Sequence, residues 1–344
     1  MSVGSHLPPE IRDFIVDSLH TEPETLKQCS LISKSWVLRT RKHLFKTITI
    51  SKESDLEAWK GTFPDLANSP AYHTHTLSVG CADAVTNRDG EEGGWIRPFC
   101  NVVDLFLWSG IASDDRNVSL VPFHNFSPVL KSLRVITRSV PRSRTLEFAC
   151  SFPLLEDLFV GDTGSGSDSD QSGFEPSTSP ALTGTLELNL QRRAERTVRL
   201  LLSLPSGLHF RRLVCGWRDE KDISWTRALV EACSDTLECV DLRVWRGTFL
   251  RLRRWDQGPQ VNLVFAAERA RSNASVDFAY TPKLKEVVFR AKTWAARWMT
   301  LALQTIKPDH RHFHQISIYI PNHHPIPVLK LTRVSPRSSV LRKN

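Results

Sequence analysis

A short pattern, apolar-x-x-apolar-x-apolar, recurs along most of this chain and limits what it can fold into. It reads Val102-x-x-Leu105-x-Leu107, Leu130-x-x-Leu133-x-Val135, Leu155-x-x-Leu158-x-Val160, Phe210-x-x-Leu213-x-Cys215, Leu237-x-x-Val240-x-Leu242, Leu284-x-x-Val287-x-Phe289 and Phe313-x-x-Ile316-x-Ile318. Weaker copies lie at Leu77-x-Val79 and Leu186-x-Leu188. Markers at Leu77, Leu105, Leu133, Leu158, Leu186, Leu213, Val240, Val287 and Ile316 are separated by steps of 25 to 29 residues, apart from one step of 47. Alternation within each copy predicts a short strand with one apolar face. A single copy cannot bury that face, whereas stacked neighbours share one continuous core. Pro128, Pro153, Pro180 and Pro282 stand just ahead of strands and mark entry turns.

The repeat length is that of a leucine-rich repeat, and residues 47–329 resemble a degenerate array of that family, most copies lacking the usual Asn after the strand. The fold class expected is therefore α/β: a small N-terminal helical module over 1–46, then an irregular leucine-rich-repeat-like α/β solenoid. Returning segments should be partly helical, most clearly residues 192–204 and 223–233. The long step implies an insertion over 246–280, with a helix near 261–271. Residues 161–180, rich in Gly, Ser and Asp, have the composition of a disordered, protruding loop. Residues 330–344 form a basic tail carrying Lys330, Arg333, Arg337, Arg342 and Lys343 without an acid.

Ahead of the repeats, Leu7, Ile11, Phe14, Ile15 and Leu19 fall at helical spacing after Pro8-Pro9. A second helix should follow, capped by Thr21 with Glu24 completing a capping box, its apolar side carrying Leu26, Cys29, Ile32 and Trp36. A third segment ends at Leu44-Phe45. These apolar positions are too many for so small a core, which suggests a docking surface.

Here Leu7-Pro8-Pro9-Glu10-Ile11, Leu26-x-x-Cys29-x-x-Ile32-Ser33-Lys34-x-Trp36 and Arg41-x-x-Leu44-Phe45 stand in order, and the head resembles an F-box. The resemblance covers about one eighth of the chain. It implies docking on the Skp-type adaptor of an SCF-type cullin-RING ubiquitin ligase and, through the adaptor, on cullin, with the repeats holding a protein substrate. By motif position, Leu7, Pro8 and Ile11 would contact the adaptor, while Leu26, Ile32 and Trp36 would contact it or support that surface. The substrate site would be the strand face where the x residues project: Phe106, Trp108, Arg134, Phe159, Arg243, Trp245 and Arg290. Exposed aromatics and arginines suit protein recognition.

Composition agrees with an intracellular, cytoplasmic or nuclear globular protein: 40% hydrophobic and 24% charged residues, no run of transmembrane length, and no basic start with an apolar core at the N-terminus. The seven cysteines form no Cys-x-x-Cys pair and read as reduced core thiols. A net charge of +8 concentrates in the tail and in Arg243, Arg246, Arg251, Arg253 and Arg254 near Trp245, Phe249 and Trp255. That cluster could track a nucleic-acid backbone, but Val244, Leu250 and Leu252 alternate with it as in a half-buried strand. Nucleic acid is the alternative rather than the expected partner, and a scaffold without ligase output is the other alternative.

Catalytic and metal motifs are mostly rejected. Asp162-Thr163-Gly164 lacks the second carboxylate tripeptide that an aspartic protease needs. A calcium-like run from Asp168 ends on Ser179 instead of a bidentate carboxylate. Strand alternation would place His310, His312 and His314 on one face, without further metal ligands at suitable spacing. No enzyme activity, cofactor or metal is expected.

Overall fold

The computed structural model describes residues 7–65, 68–80, 94–108, 120–126, 128–136, 140–162, 181–190, 194–217, 221–244, 276–290, 296–307, 310–319 and 329–332. The chain is α/β and divides into two compact units, Met1–Phe174 and Glu175–Asn344. That division falls inside the Gly/Ser/Asp-rich stretch rather than behind the helical head.

In the first unit, α1 (Pro9–Ser18), α2 (Pro23–Ile32) and α3 (Lys34–Leu44) form the head. Both α1 and α2 open on proline, whose fixed φ suits the first helical position and whose missing N–H has no helical partner to lose. Pro23 sets the N-cap of α2 at Glu22, so the expected Thr21 capping box does not form; the Thr25 hydroxyl instead donates to Glu22 Oε2 at 3.0 Å. Val16, Leu26, Cys29 and Thr40 are buried. Asp17 on α1 accepts from the Nε and Nη2 of Arg39 and lies 2.7 Å from Nε2 of His43, both on α3. These partners hold the Asp17 carboxyl well below the usual carboxylate range.

Five parallel strands follow in chain order: β1 (Thr47–Ile50), β2 (Thr76–Val79), β3 (Asp104–Trp108), β4 (Ser132–Ile136) and β5 (Asp157–Asp162). Each pairs with its sequence neighbours, and Ile48, Leu77, Leu105, Leu133 and Leu158 stand directly opposite one another. The returning segments include α4 (Glu53–Thr62), α5 (Arg142–Cys150) and short 3₁₀ turns at Pro70–His73, Gly94–Ile96 and Val121–Phe126. They cover the markers with buried Phe99, Phe123, Phe126, Phe148 and Phe152. Phe148 and Phe152 meet edge to face at 4.8 Å.

The second unit repeats the plan. Strands β6 (Leu182–Leu190), β7 (Leu208–Trp217), β8 (Cys239–Val244), β9 (Glu286–Arg290) and β10 (Gln315–Tyr319) are parallel. Leu186, Leu213, Val240, Val287 and Ile316 align in register. Strands β8 and β9 pair directly across the step of 47. Helices α6 (Ala194–Leu202), α7 (Lys221–Ala232) and α8 (Ala296–Gln304) lie in the returning segments. The first two match the expected helices: α6 is shorter at both ends than 192–204, and α7 starts two residues ahead of 223–233 and ends one short of it. Gly184, at φ 78°, supplies the left-handed backbone where the β6–β7 register shifts. Lys330 to Thr332 are not tail: they belong to β11 (Leu329–Thr332), which runs antiparallel to β10.

One backbone device recurs at the strand entries. Lys46 O accepts from His75 N and Thr76 N, His75 O from Val103 N and Asp104 N, Val103 O from Lys131 N and Ser132 N, and Lys131 O from Glu156 N and Asp157 N. In the second unit Glu238 O takes Lys285 N and Glu286 N, and Lys285 O takes His314 N and Gln315 N. In each of these six steps one carbonyl holds two successive amides at the entry of the next strand, which fixes the register there. Among the described residues no helix is long and apolar enough to cross a membrane.

Candidate docking faces

The head buries few of its apolar residues. Val16 alone is buried from α1, while Leu7, Ile11 and Phe14 are exposed at 56%, 47% and 72%. Leu31 and Ile32 at the end of α2 and Leu38 on α3 are exposed as well. Of the residues matched to the F-box pattern, Leu7, Pro8, Ile11 and Ile32 are open to a partner and Trp36 is half-buried. Leu26 is 1% exposed and packs inside the head, in a supporting position. Phe14, Leu31 and Leu38 extend the exposed set beyond the matched positions; Phe14 follows Ile11 by three residues on the same helical face, a signal present in the sequence. Leaving such side chains in water forgoes about 1.5–3 kcal/mol each, and soluble monomers seldom expose large apolar patches without use.

The outward face of the first unit's sheet is aromatic. Phe106, Arg134 and Phe159 are register partners on β3, β4 and β5, in a row stepping about 4.8 Å per strand. The Arg134 guanidinium lies 5.3 Å from the Phe159 ring centroid, the geometry of a cation–π contact. In the next row, Trp108, Ile136 and Gly161 are partners. The Trp108 indole covers Gly80, where a Cβ would overlap the ring, and its Nε1 donates to Ser78 Oγ at 3.2 Å. Gly161 likewise leaves room for Phe159 and Ile136, each 3.0 Å from where its Cβ would stand. The preceding row carries exposed Asp104 and Asp157. Among the described residues Arg134 has no acidic partner.

The second unit's outward face is ionic. Asp241 on β8 is fully buried, and Arg290 on β9 donates through Nε to both its oxygens at 3.1 and 3.0 Å. Arg243 Nη2 lies 3.5 Å and Arg212 Nη2 4.0 Å from the same carboxylate, and Arg243 Nη1 also donates to Glu187 on β6. The Arg290 guanidinium stacks 4.6 Å from the Tyr319 ring centroid. Glu286 accepts from Gln315 Nε2 at 2.9 Å and from Ser317 Oγ at 3.2 Å. Arg243 and Arg290, expected as substrate contacts, are therefore brought together but held by Asp241, a residue the repeat pattern alone treats as solvated. Trp245, the cluster at Arg246–Trp255, the expected helix near 261–271 and most of the 161–180 stretch lie outside the described residues.

His310, His312 and His314 precede β10 instead of alternating on it; His310 is buried, with Nε2 2.8 Å from Phe278 O and Nδ1 accepting from Lys307 N at 3.0 Å. Among the described residues no group of three metal-ligating side chains converges. Cys29, Cys150, Cys215 and Cys233 are buried free thiols, but Cys100 is exposed, departing from the all-core reading. Burial pushes the Cys215, Cys233 and Cys239 thiols up to about 12, which keeps them protonated and poorly nucleophilic at neutral pH. No protein-family model matches the chain, and comparison with curated proteins and with solved structures also finds no match.

Proposed function

We propose that the chain is the substrate-recognition subunit of an SCF-type cullin-RING ubiquitin ligase, its F-box-like head docking on a Skp-type adaptor and its leucine-rich-repeat-like solenoid holding a protein substrate. The observation that carries this reading is the division of labour in the head. Motif residues needed for its own core, Leu26 and Cys29, are buried, while Leu7, Pro8, Ile11 and Ile32 are left outside. In-register parallel strands, each paired with its chain neighbours in both units, support the repeat reading. The chain would contribute no reacting group. Its work would be effective concentration, fixing a substrate beside a charged conjugating enzyme so that transfer becomes nearly intramolecular.

Co-expression with a Skp-type adaptor followed by size-exclusion chromatography tests the reading. The wild type should share a peak with the adaptor. Leu7→Ala/Ile11→Ala should lose that peak with an unchanged circular dichroism spectrum, because both side chains lie outside the core. Leu26→Ala should instead destabilise the head by about 2–5 kcal/mol. A wild type that elutes alone would sink the proposal. A complex that takes up adaptor but no cullin would make the chain an adaptor-bound scaffold.

A further inference from the structure

Arg134, Arg212, Arg243 and Arg290 on the outward sheet faces differ in what they have left to offer. Arg212, Arg243 and Arg290 surround Asp241, and Arg243 also reaches Glu187, so their charge is largely spent within the fold. Arg134 is exposed and has an aromatic neighbour but, among the described residues, no carboxylate. Its donors face solvent from the middle of a row, flanked in register by Phe106 and Phe159. The surrounding rings are already placed. Trp108 is seated on Gly80 and tied to Ser78, and Phe159 packs over Gly161, so little side-chain freedom remains to be lost on binding. An anchored guanidinium among fixed aromatics has the make-up of an interface hot spot.

From this we infer that the Phe106–Arg134–Phe159 row, with Trp108, is a peptide-docking site that takes one carboxylate side chain flanked by apolar residues. The inference rests on the reading of the strand faces as the substrate surface and is independent of what the head binds. The carboxylate pairs with Arg134, in a geometry that lets a planar guanidinium donate two parallel hydrogen bonds. Apolar neighbours of that carboxylate cover the Phe106, Phe159 and Trp108 rings and exclude water from the pair. Charge sets the choice of anion. Asp104 and Asp157 stand one row away on the same face and carry two negative charges against the single positive charge of Arg134. Attraction and repulsion both scale with the charge of the anion, so the more heavily hydrated dianionic phosphate gains little net attraction to offset its larger desolvation cost, and the singly charged carboxylate is preferred. The same two aspartates favour a basic residue on the peptide side that reaches them.

The test is a phage-displayed pool of random linear peptides panned against the full chain and against Arg134→Gln and Arg290→Gln variants, all checked for matching thermal melts. The wild type and Arg290→Gln should enrich peptides with Asp or Glu beside apolar residues, and Arg134→Gln should not. A synthetic enriched peptide should lose at least tenfold in affinity when its acid becomes the amide, and should gain nothing when that acid becomes phosphoserine. No enrichment, or the same enrichment with Arg134→Gln, overturns the proposal; tighter binding of the phosphoserine peptide overturns the choice of a carboxylate. Should Arg290→Gln melt early, the wild type alone serves as the positive reference, and Phe159→Leu, a second probe of the row, should weaken binding. Adaptor co-elution, measured separately, reports on the head alone, so either reading can fail without the other.

Discussion

The two sheets are built on one plan inward and on opposite plans outward. In both, the marker residues align strand by strand and are covered by returning segments. Outward, the first unit presents Phe106, Trp108 and Phe159 around an Arg134 without an acidic partner among the described residues, while the second draws three arginines onto a buried Asp241. The inward side is constrained because a strand that offers a poor apolar marker fails both neighbours at once. The outward side has no such obligation. There the two units place arginine differently: as a structural counter-ion to a buried acid, and as an exposed cation over an aromatic ring.

That contrast can be broken by mutation. Asp241→Ala should have the largest effect, because it removes the buried carboxylate shared by Arg212, Arg243 and Arg290; a loss of about 3 kcal/mol is expected in the denaturant transition. Arg134→Ala should cost less than about 1 kcal/mol by the same measurement, since it removes only an exposed cation–π contact. Equal losses would erase the distinction between the two faces. Next in size, Leu133→Ala and Leu213→Ala should each destabilise by about 2–5 kcal/mol, and by similar amounts, because both are fully buried markers at equivalent places. A loss confined to one unit would show that the shared inward plan is not shared in strength. Smaller still, Gly80→Ala should push the Trp108 ring off its seat at about 1–3 kcal/mol and shift tryptophan fluorescence. An unchanged spectrum would mean that the ring is not fixed as described.

The inward plan was legible because it needs only apolar residues at a fixed spacing. Leu105, Leu133, Leu158, Leu213 and Val240 all occupy the strand positions expected of them. Strand β1 was missed although Phe45-x-x-Ile48-x-Ile50 fits the pattern, because Leu44-Phe45 reads as the end of the helical head and hides the first position of the copy. Strand β11 was missed because Lys330 sits among basic residues, and charge masked a four-residue ladder whose partner is antiparallel. The projecting side chains were also legible, since alternation alone aims them outward. Which of them are neutralised was not: Asp241 meets its arginines across three strands, and no local window brings Arg212, Asp241 and Arg290 together. The Thr21 capping box failed for a local reason, the preference of Pro23 for the first turn. His310 was read on a strand that starts five residues later, and its burial depends on Phe278, a contact 32 residues away.

The strand-entry carbonyls carry a consequence for how such a chain can change its length. Val103 O holds Lys131 N and Ser132 N in the way that His75 O holds Val103 N and Asp104 N. Removing one whole step would therefore present the next pair of amides to an equivalent acceptor, whereas removing half a step would leave a carbonyl and two N–H groups without partners. Duplication or loss of entire units is the inexpensive route by which this architecture grows or shrinks, and the outward rows travel with the unit that bears them.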